Sequence, residues 1–521
     1  MKKIKNQKKT SLYNRWLNGI EQVGNRLPHP IALFAALAVG IVLLSAICQK
    51  LGIKGTGELV VDGALTETTV EAVSLLNKEG LTYMLTNAVH NFTTYAPLGM
   101  TLVAMLGVGV AEQSGLIHTL LKGAVKVTPA KLITPAVVFL GVISNVATDA
   151  GYVILIPLGA ILFKAYGRHP MAGLAAAFAG VSGGFSANLL IGSLDPMLAG
   201  ISQTASSIID PNYEVAVMGN YYFLFASTFL ITILGTFVTD KIVEPRLEKF
   251  HGEEIEEEDM LQVITPLEKK GLYRAGSAAL LFVLLVVAAA VPEHSFLRNE
   301  NGTLFGNPTS PFVNGIIVLI SLFFFIPGAV YGKCVGVFNK EHGVCGAMSK
   351  AMSSMGPFLA LAFISAQFIN YFNYTKIGTI VALKGASFFK EAQIGLLPLL
   401  IIFVLFSAFM NLFMGSASAK WNILAPVFVP MFMLLGYSPE LCQLAYRIGD
   451  SATNIITPMM TYFAVILTFA QKYDKKAGIG TITATMIPYS MVFLAGWILM
   501  LILWLCFDLP IGIGTGIYYA L

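Results

Sequence analysis

Five charged residues lie inside otherwise apolar stretches, away from their ends: Asp149, Asp195, Lys420, Arg447 and Asp450. A charge at the bilayer centre costs roughly 3 kcal/mol or more, so an ionisable residue kept there points to a functional site. Arg447 offers a planar fork that matches a carboxylate. It precedes Asp450 by three residues, which puts both on one helical face. They form either an internal pair or a site where substrate carboxylate competes with a proton or cation. Asp195 and Asp450 are buried carboxylates suited to carrying a proton. Trp421 either packs between helices or stacks on an aromatic ring. Short polar runs surround these charges at Ser144–Asn145, Ser186–Asn188, Ser416–Ser418 and Ser451–Asn454. The amino ends of half-helices there can hold anionic groups. Exposed carbonyls, with the Asn145, Asn411 and Asn454 side chains and the neighbouring Ser144, Asp149, Ser416 and Asp450, suit a sodium ion.

These residues need elements to hold them at membrane depth. The chain has 521 residues, 56% hydrophobic and only 12% charged, against roughly 25% charged in an average soluble domain. Apolar runs near 20 residues recur, as expected of an all-α polytopic membrane protein. Five scattered cysteines show no CxxC pairing and no metal spacing, and read as packing residues. No HExxH motif occurs, which argues against a zinc protease. No cofactor and no nucleic-acid partner are expected; the basic residues sit in loops.

Residues 1–29 are polar and basic, read as a cytoplasmic amino-terminal segment without a cleavable signal. A first repeat spans 30–240. Its first hairpin covers about 132–163, apolar on both sides of a polar tip at Ser144–Asp149. Basic residues flank both ends, so a re-entrant hairpin obeys the positive-inside rule where a single span does not. A broken helix follows at 171–201. Residues 241–274, including EEIEEED, read as a cytoplasmic linker. The second repeat, 275–521, mirrors the first: hairpin at about 394–435, broken helix at 441–469. Gly415, Gly449 and Pro458 are read as helix interruptions, and residues 52–80 as a polar external loop. The count is nine spans plus two hairpins, with an external carboxy terminus.

The repeat is visible in letters. Gly184-Phe-Ser-Ala-Asn-Leu-Leu-Ile-Gly matches Gly449-Asp-Ser-Ala-Thr-Asn-Ile-Ile-Thr, and each follows a hairpin with a Ser/Asn/Gly-rich tip. The basic loops put the two copies in opposite orientation, the signature of an inverted-topology transporter with its sites at broken helices. That disfavours a passive channel. An intramembrane aspartyl protease needs a GxGD-type motif, and the sequence here is Tyr446-Arg-Ile-Gly-Asp. A sodium-coupled dicarboxylate symporter of the same architecture remains the alternative. The Trp421, Arg447 and Asp450 group instead suits an aromatic amide bearing carboxylates.

LPHP, NFTTYAPLG, GRHPMAGLAAAFAGVSGGFSANL, DKIVEPRL, GSASAKWNILAPVFVPM and YRIGDSATNIITPMMTYF resemble the AbgT (p-aminobenzoyl-glutamate transporter) family, from about Gly24 to Pro510. The resemblance implies a homodimer in the bacterial inner membrane, in contact with its lipids. It implies transport of p-aminobenzoyl-glutamate or p-aminobenzoates, anionic aromatic substrates. Members with the GDSATNIITP version are associated with proton-coupled efflux of sulfonamide antimetabolites; others take up p-aminobenzoyl-glutamate. By position, the family's functional aspartates fall on Asp195 and Asp450, its tryptophan on Trp421 and its arginine on Arg447. Its serine falls on Ser418, its prolines on Pro439 and Pro458, and its sodium-associated asparagine on Asn411. Asn188 and Lys420 complete the expected substrate set. Lys420 departs from the neutral residue expected there.

Overall fold

A membrane leaves no water to satisfy the backbone, so a spanning chain closes its hydrogen bonds within helices. The computed structural model describes residues 30–61, 64–126, 129–145, 151–247, 264–304, 310–338, 343–457, 460 and 462–519. The segment 1–29, residues 248–263 of the acidic linker, Asp149 and Pro458 lie outside the described residues.

In chain order, α1 (Pro30–Lys50) leads into strands β1 (Lys54–Val61) and β2 (Ala64–Glu71). Then come α2 (Lys78–Thr93), α3 (Ala96–Gln113), α4 (Leu116–Lys126), α5 (Ile133–Ser144), α6 (Ile156–Ala165) and α7 (Pro170–Phe178). A π turn at Ala179–Gly183 extends α7, and after a non-helical stretch come α8 (Leu194–Ser206) and α9 (Tyr221–Val238). The second half holds α10 (Pro266–Ala290), α11 (Pro311–Asn314), α12 (Ile316–Val335), α13 (Gly343–Ser354), α14 (Gly356–Tyr374) and α15 (Ile377–Glu391). It ends with α16 (Leu396–Asn411), α17 (Ala417–Leu434), α18 (Pro439–Asn454), α19 (Phe463–Tyr473) and α20 (Ile479–Cys506).

Seven helical runs among the described residues are long and apolar enough to cross a membrane. α13 and α14 add an eighth if taken together, bent by 46° at their junction. α5, α6 and α16 are apolar but shorter. Burial sorts the long helices. Only 6% of the most apolar window of α10 is buried, against 72% for α17. α10 therefore lies on the outside of the chain and α17 runs through the middle of the protein.

The largest apolar cluster joins α5–α9 to α16–α20, so both halves build one core around the polar breaks. A second cluster joins α1, α14 and the start of α15. A third, small one links α3, α4, α10 and α12 through Ala111, Leu116, Ala275 and Tyr331.

Four expectations are corrected or refined. Residues 52–80 are not simply loop: β1 and β2 pair antiparallel from Lys54↔Glu71 to Val61↔Ala64. Two runs rich in Thr, Val and Leu, with Asp62-Gly63 between them in sequence, are the hairpin signal. Gly55 lets this ribbon lie close on α15; a Cβ there would stand 3.2 Å from Ile380 Cα. The run read as one span over 81–113 extends over Lys78–Gln113 and carries a short break at Thr94–Tyr95 between α2 and α3. α15 falls in a stretch given no element, because two lysines and a length of 15 residues hide it from a search for spans. Lastly, Gly449 does not interrupt a helix. It sits inside α18, where a Cβ would stand 2.4 Å from Val404 O and 2.8 Å from Ala408 N. Its missing side chain lets α18 touch the α16 backbone.

Candidate functional site

Every residue of α18 is buried, although Glu440, Gln443, Arg447, Asp450 and Asn454 make one side of it polar. Buried polar groups persist only when paired, so the partners define the site. Ser438 caps the helix, accepting from Leu441 N at 3.3 Å, and Pro439 takes the first helical position where no N–H is needed.

The spacing of Arg447 and Asp450 raised an internal pair. The structure separates them, and each pairs with a different helix. Arg447 Nη1 lies 2.7 Å from Asp195 Oδ1. Asp195 stands in the first turn of α8, a favourable place for an anion, and its Oδ2 accepts from Gly192 N at 2.8 Å. The Arg447–Asp195 contact is charge-to-charge rather than an aligned hydrogen bond, because Asp195 Oδ1 has no partner of hydrogen-bond geometry. Arg447 Nε is also buried without a hydrogen-bond partner, and so is Ser451 Oγ, one turn further on the same face.

Asp450 is paired instead with Lys420, whose Nζ contacts both Asp450 Oδ1 and Asn411 Oδ1. The two charged side chains are 0% and 2% exposed. Asn411, at the end of α16, turns its amide nitrogen to Asp450 O at 2.6 Å, Asn454 Oδ1 at 2.8 Å and Thr453 Oγ1 at 2.9 Å. Its oxygen is thereby aimed at the ammonium. Asp450 also lies 3.4 Å from both Tyr446 OH and Asn454 Nδ2. Ser416 caps α17, accepting from Ala419 N at 3.4 Å, with Ser418 Oγ 3.4 Å from Ser416 Oγ.

Trp421 is fully buried and stacks on Tyr446, centroids 4.5 Å apart and planes at 23°. Its Nε1 donates to Ser202 Oγ at 3.0 Å, and Ser202 donates to Gln443 Oε1 at 2.6 Å. Gln443 Nε2 donates to Asn220 Oδ1 at 3.0 Å, and Asn220 Nδ2 to Glu440 O at 2.8 Å. This relay ties α17, α8, α18 and the start of α9. Sequence reading missed Ser202, Asn220, Glu440, Gln443 and Tyr446. The i, i+3, i+7 series Glu440–Gln443–Arg447 was the available signal for two of them.

The first-half candidates have other partners. Ser144 Oγ donates to Gly141 O at 2.7 Å, and Asn145 Nδ2 to Gly184 O at 3.1 Å. Asn188 is buried beside α9, its backbone N donating to Leu224 O at 3.3 Å. The described hydrogen bonds of these three stay within the first half.

A sodium ion held by Asn411, Asp450 and Asn454 meets a direct obstacle. The Lys420 ammonium is already on both Asn411 Oδ1 and Asp450 Oδ1. Two unit positive charges about 4 Å apart repel by about 4 kcal/mol even at an effective dielectric near 20. The residues present do not fit a second cation there. No group of three or more His, Cys, Asp or Glu side chains suited to a metal occurs among the described residues.

Comparison with known proteins follows this geometry. The family model of AbgT transporters matches residues 15–519. The p-aminobenzoyl-glutamate transport protein of Escherichia coli (strain K12) is 37% identical over 500 residues, covering 96% of each chain. The solved structure of the Alcanivorax borkumensis YdaH transporter is 44% identical, with a TM-score of 0.86, and covers 93% of this chain and 100% of its own. That of Neisseria gonorrhoeae MtrF, described within a class of antimetabolite efflux pumps, is 47% identical, with a TM-score of 0.90, and covers 96% and 100%. This chain therefore belongs to the AbgT family and is a multi-pass membrane transporter, not an enzyme.

Proposed function

We propose that this chain moves p-aminobenzoyl-glutamate and related p-aminobenzoates, with sulfonamide-type antimetabolites as further cargo. It works as a homodimer in a bacterial inner membrane, driven by a proton or sodium gradient. The observation that carries the substrate reading is Arg447. It is a buried guanidinium whose ion-pair partner among the described residues is Asp195 and whose Nε–H is unpaired, one turn from the unpaired Ser451 hydroxyl. An unsatisfied buried donor is costly unless a ligand completes it, and a carboxylate fits a guanidinium fork. The Trp421–Tyr446 stack, on the residue just before Arg447, supplies an aromatic wall for the benzoyl ring. Asp195 and Asp450 are two buried carboxylates available for coupling. The relatives support the cargo, since one is named for p-aminobenzoyl-glutamate transport and another is placed among antimetabolite efflux pumps.

Binding to purified protein tests this. Arg447→Lys keeps the charge facing Asp195 but loses the fork, and should weaken p-aminobenzoyl-glutamate binding by roughly 1–3 kcal/mol. Trp421→Ala should weaken ring-bearing ligands by about 1 kcal/mol and leave an aliphatic dicarboxylate unaffected. Equal loss of both ligand classes would mean Trp421 only packs, and would favour the dicarboxylate symporter. Flux of labelled p-aminobenzoyl-glutamate into proteoliposomes, under proton and sodium gradients imposed separately, tests coupling and direction.

A further inference from the structure

We infer that the ε-ammonium of Lys420 is a tethered cation that fills the position formed by Asp450 and Asn411. Lys420 would thereby exclude sodium from this position and set the coupling-ion selectivity of the transporter. The inference refines the ion-driven reading above.

Three observations carry it. First, the Lys420 side chain reaches back from the first turn of α17 to the end of α16 and across to the middle of α18, joining three helices at one nitrogen. Second, the oxygens around that nitrogen are a carboxylate and an amide carbonyl, with the Tyr446 hydroxyl 3.4 Å from the same carboxylate oxygen. Carboxylate, carbonyl and hydroxyl oxygens are the donors that hard cations take. Third, the position is locked: the Asn411 nitrogen is engaged on Asp450 O, Thr453 and Asn454, so its oxygen stays turned inward. The protein has built an oxygen site for one positive charge and put its own side chain in it.

Removing the ammonium without filling its space should open the site. Lys420→Ala leaves Asp450 without a counter-charge beside a cavity. Lys420→Met fills the space with an apolar chain of similar length. The experiment measures thermal unfolding and binding of radioactive sodium in detergent, with sodium exchanged for choline at constant ionic strength. Wild-type protein should unfold at the same temperature in both salts and bind no sodium at this position. Lys420→Ala should be destabilised in choline and rescued saturably by sodium. At sodium 100-fold above its dissociation constant, linkage raises the folding constant about 100-fold. Lys420→Met should not be rescued, and adding Asp450→Asn should abolish the rescue of Lys420→Ala.

Saturable sodium stabilisation of wild type that Asp450→Asn removes would overturn the inference. So would a folded Lys420→Ala protein indifferent to sodium. If Lys420→Ala does not fold in either salt, the wild-type titration decides alone. None of these readouts involves p-aminobenzoyl-glutamate, so a wrong cargo would leave the ion result standing.

Discussion

Asp195 and Asp450 each face a buried cation, and this changes what a substitution at either one does. Replacing both members of a buried ion pair by apolar residues is often tolerated, whereas removing one strands the other. Asp195→Asn can still accept from Gly192 N, but it leaves Arg447 without its counter-charge. The expected result is a protein that inserts yet unfolds at lower temperature, by roughly 3–5 kcal/mol. The double variant Asp195→Leu/Arg447→Met should recover most of that stability without transport. Calorimetry of the two singles and the double closes the cycle; additive losses would mean that the pair is not energetically coupled. Charges buried in apolar sequence were legible as a set, because each stands out against its own segment. Their pairing was not. Spacing places Arg447 and Asp450 on one helical face, but which helix packs on that face is a tertiary fact. Asp195 and Lys420 arrive from distant parts of the chain. Trp421 shows the same limit: its type suited both roles, and only the structure shows it stacked on Tyr446.

At the scale of elements, the site depends on how closely α16, α17 and α18 approach. Gly449 sets one of these distances, since any Cβ there would run into the α16 backbone at Val404 and Ala408. Gly449→Ala therefore has to push α16 and α18 apart, at the roughly 1–3 kcal/mol typical of overpacking. The shift falls where Asn411, at the end of α16, holds Asp450 O and Asn454. The expected outcome is a lower unfolding temperature together with weaker p-aminobenzoyl-glutamate binding. An alanine variant that keeps full affinity would show that the close approach serves packing only. Sequence reading took Gly449 for a helix break because glycine signals both breaks and close contacts, and one sequence does not distinguish them. Long apolar runs such as α1, α9 and α20 were readable because their length alone commits them to the membrane. α4, α15 and the β1–β2 ribbon were not. They are short and charged or polar, and they are defined by what they pack on.

Across the whole molecule, the ends of α9 differ. Near its start, a cavity of about 1140 Å³ is lined by Gln203, Asp210, Asn212, Tyr213, Glu440 and Tyr519, among others. The carboxy-terminal strap closes around it: Ser438 N donates to Ile517 O at 3.0 Å, Tyr519 N to Gly436 O at 2.9 Å, and Tyr519 OH to Asp210 Oδ2 at 3.0 Å. Glu440 both lines the cavity and ends the hydrogen-bond relay from Trp421, so the buried site is hydrogen-bonded through to the cavity wall. Beyond the other end of α9, Arg168 is clamped. It donates to Thr134 at 2.6 Å and Asp240 at 2.7 Å, and from Nε to both Glu244 oxygens at 3.0 and 3.1 Å. Lys164, Lys241 and Arg246 surround that end in sequence, so by the positive-inside rule the clamp is expected on the cytoplasmic side and the cavity on the external side. On that orientation the Arg168 contacts are a candidate cytoplasmic gate, one that alternating access would part. Thiol labelling in intact cells checks this orientation, once the exposed Cys345 and Cys506 are replaced by serine. Asn212→Cys, on the cavity wall, should react with a membrane-impermeant reagent added outside, and p-aminobenzoyl-glutamate should slow that reaction. Lys269→Cys, exposed in the first turn of α10, should react only after the cells are permeabilised. The reverse pattern would invert the topology. If both positions react from outside, Lys164, Lys241 and Arg246 are not the orienting charges, and the Arg168 clamp is not a cytoplasmic gate.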